Sequence, residues 1–217
     1  MKINTHISIL ILTLYSLYLG LSSNLYVMMF LPLMLEIYRN RKNILGIFKK
    51  LALLNFFILL VAISVYFSNP RLAILIYLRS NMVVLFALML FYNANYFDIA
   101  YGLQRLKLPS NLVSIFYFNG KFIHILSQDL KNFKKNLILR GFKPKVNLLS
   151  YKTYANFVGL LFIRAFYRAN NLHNILISRG FKGEIYTLKK PEKINKYELI
   201  LILITLSSLI IKKGVIL

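Results

Sequence analysis

The chain has 217 residues, 58% of them hydrophobic and only 16% charged, against about 45–50% and about 25% in soluble domains. That leaves too little polar surface to clothe a water-soluble globule, and the bilayer is the expected solvent. The 28 Lys and Arg against 6 Asp and Glu give a formal net charge of +22; in so apolar a chain this first suggests cytoplasmic loops, where cations collect. With no cysteine, a disulfide framework, a thiolate metal site and a cysteine nucleophile are all excluded.

From His6 to Tyr38 no charge occurs before Glu36. That run is too long for one helical crossing of a hydrocarbon core about 30 Å thick. Gly20-Leu21-Ser22-Ser23-Asn24 is the natural turn, so two short helices are expected as a hairpin. Lys2 before an apolar run also fits a secretory leader, but the turn leads straight into a second apolar run. Leu51 to Phe67 and Leu72 to Tyr92 follow as two further spans, joined by Ser68-Asn69-Pro70-Arg71. The loop Arg39–Lys50 carries five cations and the two turns together carry one, which puts the N-terminus and that loop in the cytoplasm.

Arg79 lies inside the fourth span. A cation there costs about 2.5–3.5 kcal/mol on insertion scales and marks function unless it snorkels to the interface. Its position permits either. From Asp98 to Lys196 the chain is strongly basic, with Asp98, Asp129, Glu184 and Glu192 as its only acids. Phe157 to Phe166 is apolar but short, and is expected to be partly embedded. Tyr197 to Ile211 reads as a last span, whose exit at Lys212-Lys213 runs against the charge rule. The expected fold is thus an all-α polytopic membrane protein with about five transmembrane helices. Its regions are 1–97, a basic helical cytoplasmic or interfacial segment 98–196, and the last span within 197–217.

The basic segment repeats itself. Leu137-Ile138-Leu139-Arg140-Gly141-Phe142-Lys143 returns as Leu176-Ile177-Ser178-Arg179-Gly180-Phe181-Lys182, identical at all but the third position. Upstream of the first copy, Phe122, Leu126, Leu130, Phe133 and Leu137 recur at helical spacing; upstream of the second, Leu161, Ala165, Arg168, Leu172 and Ile175 do so. Each copy reads as a helix terminator, with Gly141 or Gly180 left-handed and Phe142 or Phe181 folding back on Leu137 or Leu176. Arg140 and Arg179 then stand at the negative end of a helix dipole. Two well-capped amphipathic helices with solvated basic faces are the simplest reading. The recurrence of arginine, whose planar guanidinium suits bidentate carboxylate pairing, favours a docking role.

These residues resemble the T component of energy-coupling factor transporters, the group that includes cobalt and nickel permeases and vitamin transporters. That family carries two Ala-Arg-Gly motifs at the ends of cytoplasmic coupling helices; here Leu139-Arg140-Gly141 and Ser178-Arg179-Gly180 match without the alanine. Asp98 to Pro109 is similar to the family's linker into the coupling domain, and Arg168 to Gly183 to the stretch through the second motif. The resemblance implies a non-catalytic coupling subunit in the cell inner membrane. Its implied partners are two ABC-type ATPase subunits, met by Arg140 and Arg179, and a small membrane-embedded substrate-binding S component. The stripe Phe122, Leu126, Leu130 and Phe133 is the candidate face for that component, and membrane lipids are the surroundings.

Other chemistry is missing. No Gly-rich phosphate loop with Lys-Ser or Lys-Thr occurs, so ATP is expected on the partners, not here, and no cofactor is expected. His6, His124 and His173 are scattered, so neither a metal site nor catalytic residues are expected, and Asp98 and Asp129 look like helix-end or solvated groups. A lipid-modifying membrane enzyme remains the alternative, although no polar catalytic cluster is visible. Binding of nucleic acid is not expected, since the charge rule already accounts for the cations.

Overall fold

The computed structural model describes residues 4–22, 24–143, 145–185 and 195–210. Among these residues the chain forms eight α-helices: α1 (Thr5–Leu21), α2 (Leu31–Arg39), α3 (Ile44–Tyr66), α4 (Pro70–Phe91), α5 (Tyr96–Arg105), α6 (Ser110–Leu139), α7 (Leu148–Ser178) and α8 (Lys196–Ile210). Short 3-10 turns precede α2 and α3. Two compact units result, one of Met1–Leu106 with Leu188–Leu217, the other of Lys107–Thr187. Ser23, Glu192, Ile211 and the expected exit at Lys212-Lys213 lie outside the described residues.

The core of the first unit is aromatic and aliphatic, contributed by α1, α2, α4 and α8. Tyr15 and Phe86 meet with ring centroids 4.5 Å apart, and the Tyr15 hydroxyl donates to the Met29 carbonyl at 2.9 Å. That bond satisfies the one polar atom the ring carries inward. Leu25, Met29 and Leu201 close the same core.

Two carboxylates that look costly in apolar helices are both committed. Glu198, in the first turn of α8, accepts from the Asn4 backbone amide at 2.6 Å and its side-chain amide at 3.0 Å, and from the Asn195 amide at 2.9 Å. It therefore ties the starts of α1 and α8 together. Glu36 is fully buried and pairs with Arg39 at 2.7 Å. Asn40 bridges Glu36 and the Met89 carbonyl, each at 3.2 Å. Arg39 also lies over the Tyr197 ring, so α2, α4 and α8 share one polar knot.

The second arm of the expected hairpin is shorter than a span. After the turn Val27–Phe30 is 3-10 and α2 contributes nine residues, together about 20 Å of rise. Among the described residues two stretches have the length and composition to cross a bilayer, Arg41–Tyr66 and Pro70–Phe91, while Thr5–Leu21 is a shorter apolar helix. α3 starts earlier than expected, so Lys49 and Lys50 stand inside it. It packs chiefly on α4 and leaves Leu53, Phe56, Phe57, Leu60 and Ile63 exposed along its length. α4 opens with Asn69 accepting from the Leu72 amide and with Pro70 in its first turn, where a missing N–H has no cost.

α5 begins in a capping box between Asn95 and Asp98, which gives Asp98 the helix-end role expected of it. It packs tightly on α1: a Cβ on Gly102 would stand 3.0 Å from the His6 amide nitrogen. Lys107, at the junction of the two units, has a φ of 57°, a left-handed value uncommon outside glycine.

The second unit is built on α6 and α7, thirty and thirty-one residues long. Phe157 to Phe166, expected as a separate partly embedded run, is the interior of α7. Its first residue is buried against α6, where Phe133 and Phe157 stack with centroids 3.4 Å apart and planes at 7°.

Candidate functional site

The two Arg-Gly-Phe elements adopt the same geometry. At the end of α6 the Phe142 amide donates to the Leu137 carbonyl at 3.0 Å, and the Gly141 amide to Ile138 at 3.0 Å. At the end of α7 the Phe181 amide donates to Leu176 at 2.9 Å, and the Gly180 amide to Ile177 at 2.9 Å. Both are the paired bonds of a Schellman cap. Gly141 has a φ of 72° and Gly180 of 66°, with nothing within 4 Å of either missing Cβ. The glycines serve backbone conformation alone.

The caps fix what stands beside them. Arg140 and Arg179 occupy the two C-cap positions with near-identical backbone angles, φ −85° and ψ 10° against φ −93° and ψ 7°. Both are exposed. Among the described residues neither guanidinium has an ion-pair or hydrogen-bond partner, so each is presented outward at a helix end. Around them Lys131, Lys134, Lys135, Lys143, Lys145 and Lys182 are also exposed. Such a surface attracts acidic groups and repels cations.

The phenylalanines do more than the sequence suggests. Their amides fold back on Leu137 and Leu176, but their rings reach the other helix. Phe142 meets Tyr154 of α7 edge-on at 6.2 Å, and Phe181 meets Phe118 of α6 edge-on at 6.1 Å. With the Phe133–Phe157 stack, these contacts make α6 and α7 antiparallel. The two arginines therefore stand at opposite ends of the pair, with roughly 30 Å of α6 between the levels of Arg140 and Phe118.

The expected apolar stripe divides. Phe122 and Leu126 line an apolar cavity of about 260 Å³ between α6 and α7, closed by Phe162, Ala165, Phe166 and Arg168. Leu130 is exposed at 40%. Phe133 is instead used inside the pair, in its stack on Phe157. Asp129, expected to be solvated or at a helix end, accepts from Arg168 Nη1 at 2.7 Å. That bond explains an arginine on the apolar stripe of α7, the one signal that could have revealed it. Gly183 was also missed as a site residue: its φ is 89°, and a Cβ there would stand 2.6 Å from Asn111 Oδ1.

In the first unit Arg79 sits at the middle of α4, with its Nε and Nη2 buried and without hydrogen-bond partners among the described residues. No group of three His, Cys, Asp or Glu able to hold a metal ion occurs among the described residues.

Compared with known proteins, residues 2–190 match the model of the CbiQ family, described as cobalt transport protein. No curated protein matches the chain.

Proposed function

The chain belongs to the CbiQ cobalt transport protein family, the T component of energy-coupling factor transporters, and from that premise we propose that it is the subunit that couples ATPase motion to a substrate-binding membrane protein. In this reading Arg140 and Arg179, with Gly141 and Gly180 setting their caps, each dock one of two ABC-type ATPase subunits. An acidic pocket on each ATPase receives the guanidinium, in the bidentate geometry that arginine favours.

The recess lined by Phe122 and Leu126, with exposed Leu130 beside it, takes the small S component; Phe133 supports that surface from within. The first unit anchors the chain as about five membrane passes, with α2 short and carried by its neighbours. The N-terminus and the basic unit then lie on the cytoplasmic side. The transported species is a vitamin or a transition-metal ion, with cobalt or nickel as the first candidates. Selectivity belongs to the S component, and ATP to the ATPases.

What supports the reading above all is the duplication: two identical caps put two unpaired arginines at opposite ends of one helix pair. A solvated cap would function as well with lysine or asparagine. The test is uptake by cells carrying Arg140→Ala and Arg179→Ala together. Uptake should be abolished while the protein still reaches the membrane, and unchanged uptake would end the proposal.

A further inference from the structure

The rings after the two glycines have no part in the caps themselves, whose hydrogen bonds use only backbone atoms. Each ring instead leaves its own helix for the opposite one. Phe142 lies against Tyr154, within the first two turns of α7, and Phe181 against Phe118, in the third turn of α6.

A second contact accompanies each ring. After the first tip the Lys145 amide donates to Ser150 Oγ at 3.2 Å, holding the chain to the first turn of α7. After the second tip Gly183 lies so close to Asn111, in the first turn of α6, that a Cβ would reach 2.6 Å from its Oδ1. The arrangement is reciprocal: the end of each helix is seated on the beginning of the other. Resting on the coupling role proposed above, we infer that Phe142 and Phe181 are positioning residues. They brace each arginine tip on the base of the opposite helix, so that displacement of one tip is transmitted to the other.

The physics favours this over simple capping. The hydrophobic contact of a Schellman cap accepts any apolar side chain, whereas an edge-to-face contact at about 6 Å needs a ring on both sides. Gly183 suits its place by a positive φ and lies against the Asn111 side chain, so the segment after the second tip touches the base of α6. The Asp129–Arg168 bridge and the Phe133–Phe157 stack lie between the two braces and resist sliding of α6 along α7.

The chain has no cysteine, so the full-length protein can carry single spin labels at Lys143→Cys and Lys182→Cys, both exposed positions, and be measured in lipid nanodiscs. The parent should give one narrow distance distribution. Phe142→Ala and Phe181→Ala should broaden it, with the docked-to-undocked ratio falling about two- to tenfold. Phe181→Tyr should keep it narrow. Phe181→Leu, which keeps an apolar side chain but loses the ring, should broaden it as alanine does, and serves if the alanine variant does not accumulate.

In vesicles holding the assembled transporter, the broadened variants should move less substrate per ATP hydrolysed while hydrolysis itself continues. Parent-like distributions in the alanine and leucine variants would overturn the inference, as would an unchanged ratio of transport to hydrolysis. Arg140→Ala with Arg179→Ala should abolish uptake but leave the distances as in the parent. Survival of uptake there removes the coupling role and not the brace, so the two failures are told apart.

Discussion

At Gly141 and Gly180 the backbone enters the left-handed region with open space where a Cβ would stand. Any side chain there meets only the conformational penalty, about 1–2 kcal/mol for most L-residues and less for asparagine. Gly183 carries the same penalty, and beside it stands only the far end of the exposed Asn111 side chain, which can turn aside. Asparagine should therefore be accepted at all three positions with a loss well under that of valine. Thermal unfolding of the three Gly→Asn variants in detergent checks this; a much larger loss at 183 alone would show that Asn111 cannot give way. The two caps were legible in the sequence because a Schellman motif is local, fixed by a glycine and the residues just before it. Gly183 was not, because Asn111 lies 72 positions away in the chain.

At the scale of helices, the apolar period of α6 and α7 gave their existence and faces, but not their use. Phe122 and Phe133 fall on one stripe; only the partner helix decides that the first lines a recess and the second is stacked inside the pair. The same limit hid the length of α7, since Arg164 and Arg168 interrupt its apolar run. Arg168 is tolerated because Asp129 faces it from α6. That pair is 37% and 19% exposed, so screening reduces its value to about 1 kcal/mol or less. A double-mutant cycle of Asp129→Asn and Arg168→Gln should return a coupling of that size. Raising the salt concentration should shrink it, and a coupling indifferent to salt would assign the contact to packing rather than charge. The bounds of α2 were not legible for a related reason: hydropathy marks an apolar stretch, but Pro32 and the 3-10 turn before it set where a regular helix can begin.

Across the whole molecule the distribution of charge supports the proposed topology. Lys107–Thr187 holds many Lys and Arg but only Asp129 and Glu184 as acids, and the end of α2 with the loop after it adds Arg39, Arg41 and Lys42. In the proposed topology cations so grouped stay on the cytoplasmic side, whereas Ser22 and Asn69 lie in turns with almost no charge. The absence of cysteine makes the orientation directly measurable. Single cysteines at Lys143 and Lys182 should react with an impermeant thiol reagent only after the membrane is opened, and those at Ser22 and Asn69 should react in intact cells. The short second arm sharpens the test, because an odd number of crossings before α3 would reverse the labels at 69 and leave those at 22 unchanged. Labelling of both tip positions from outside would place the two arginines beyond the reach of any cytoplasmic ATPase, whatever their caps look like.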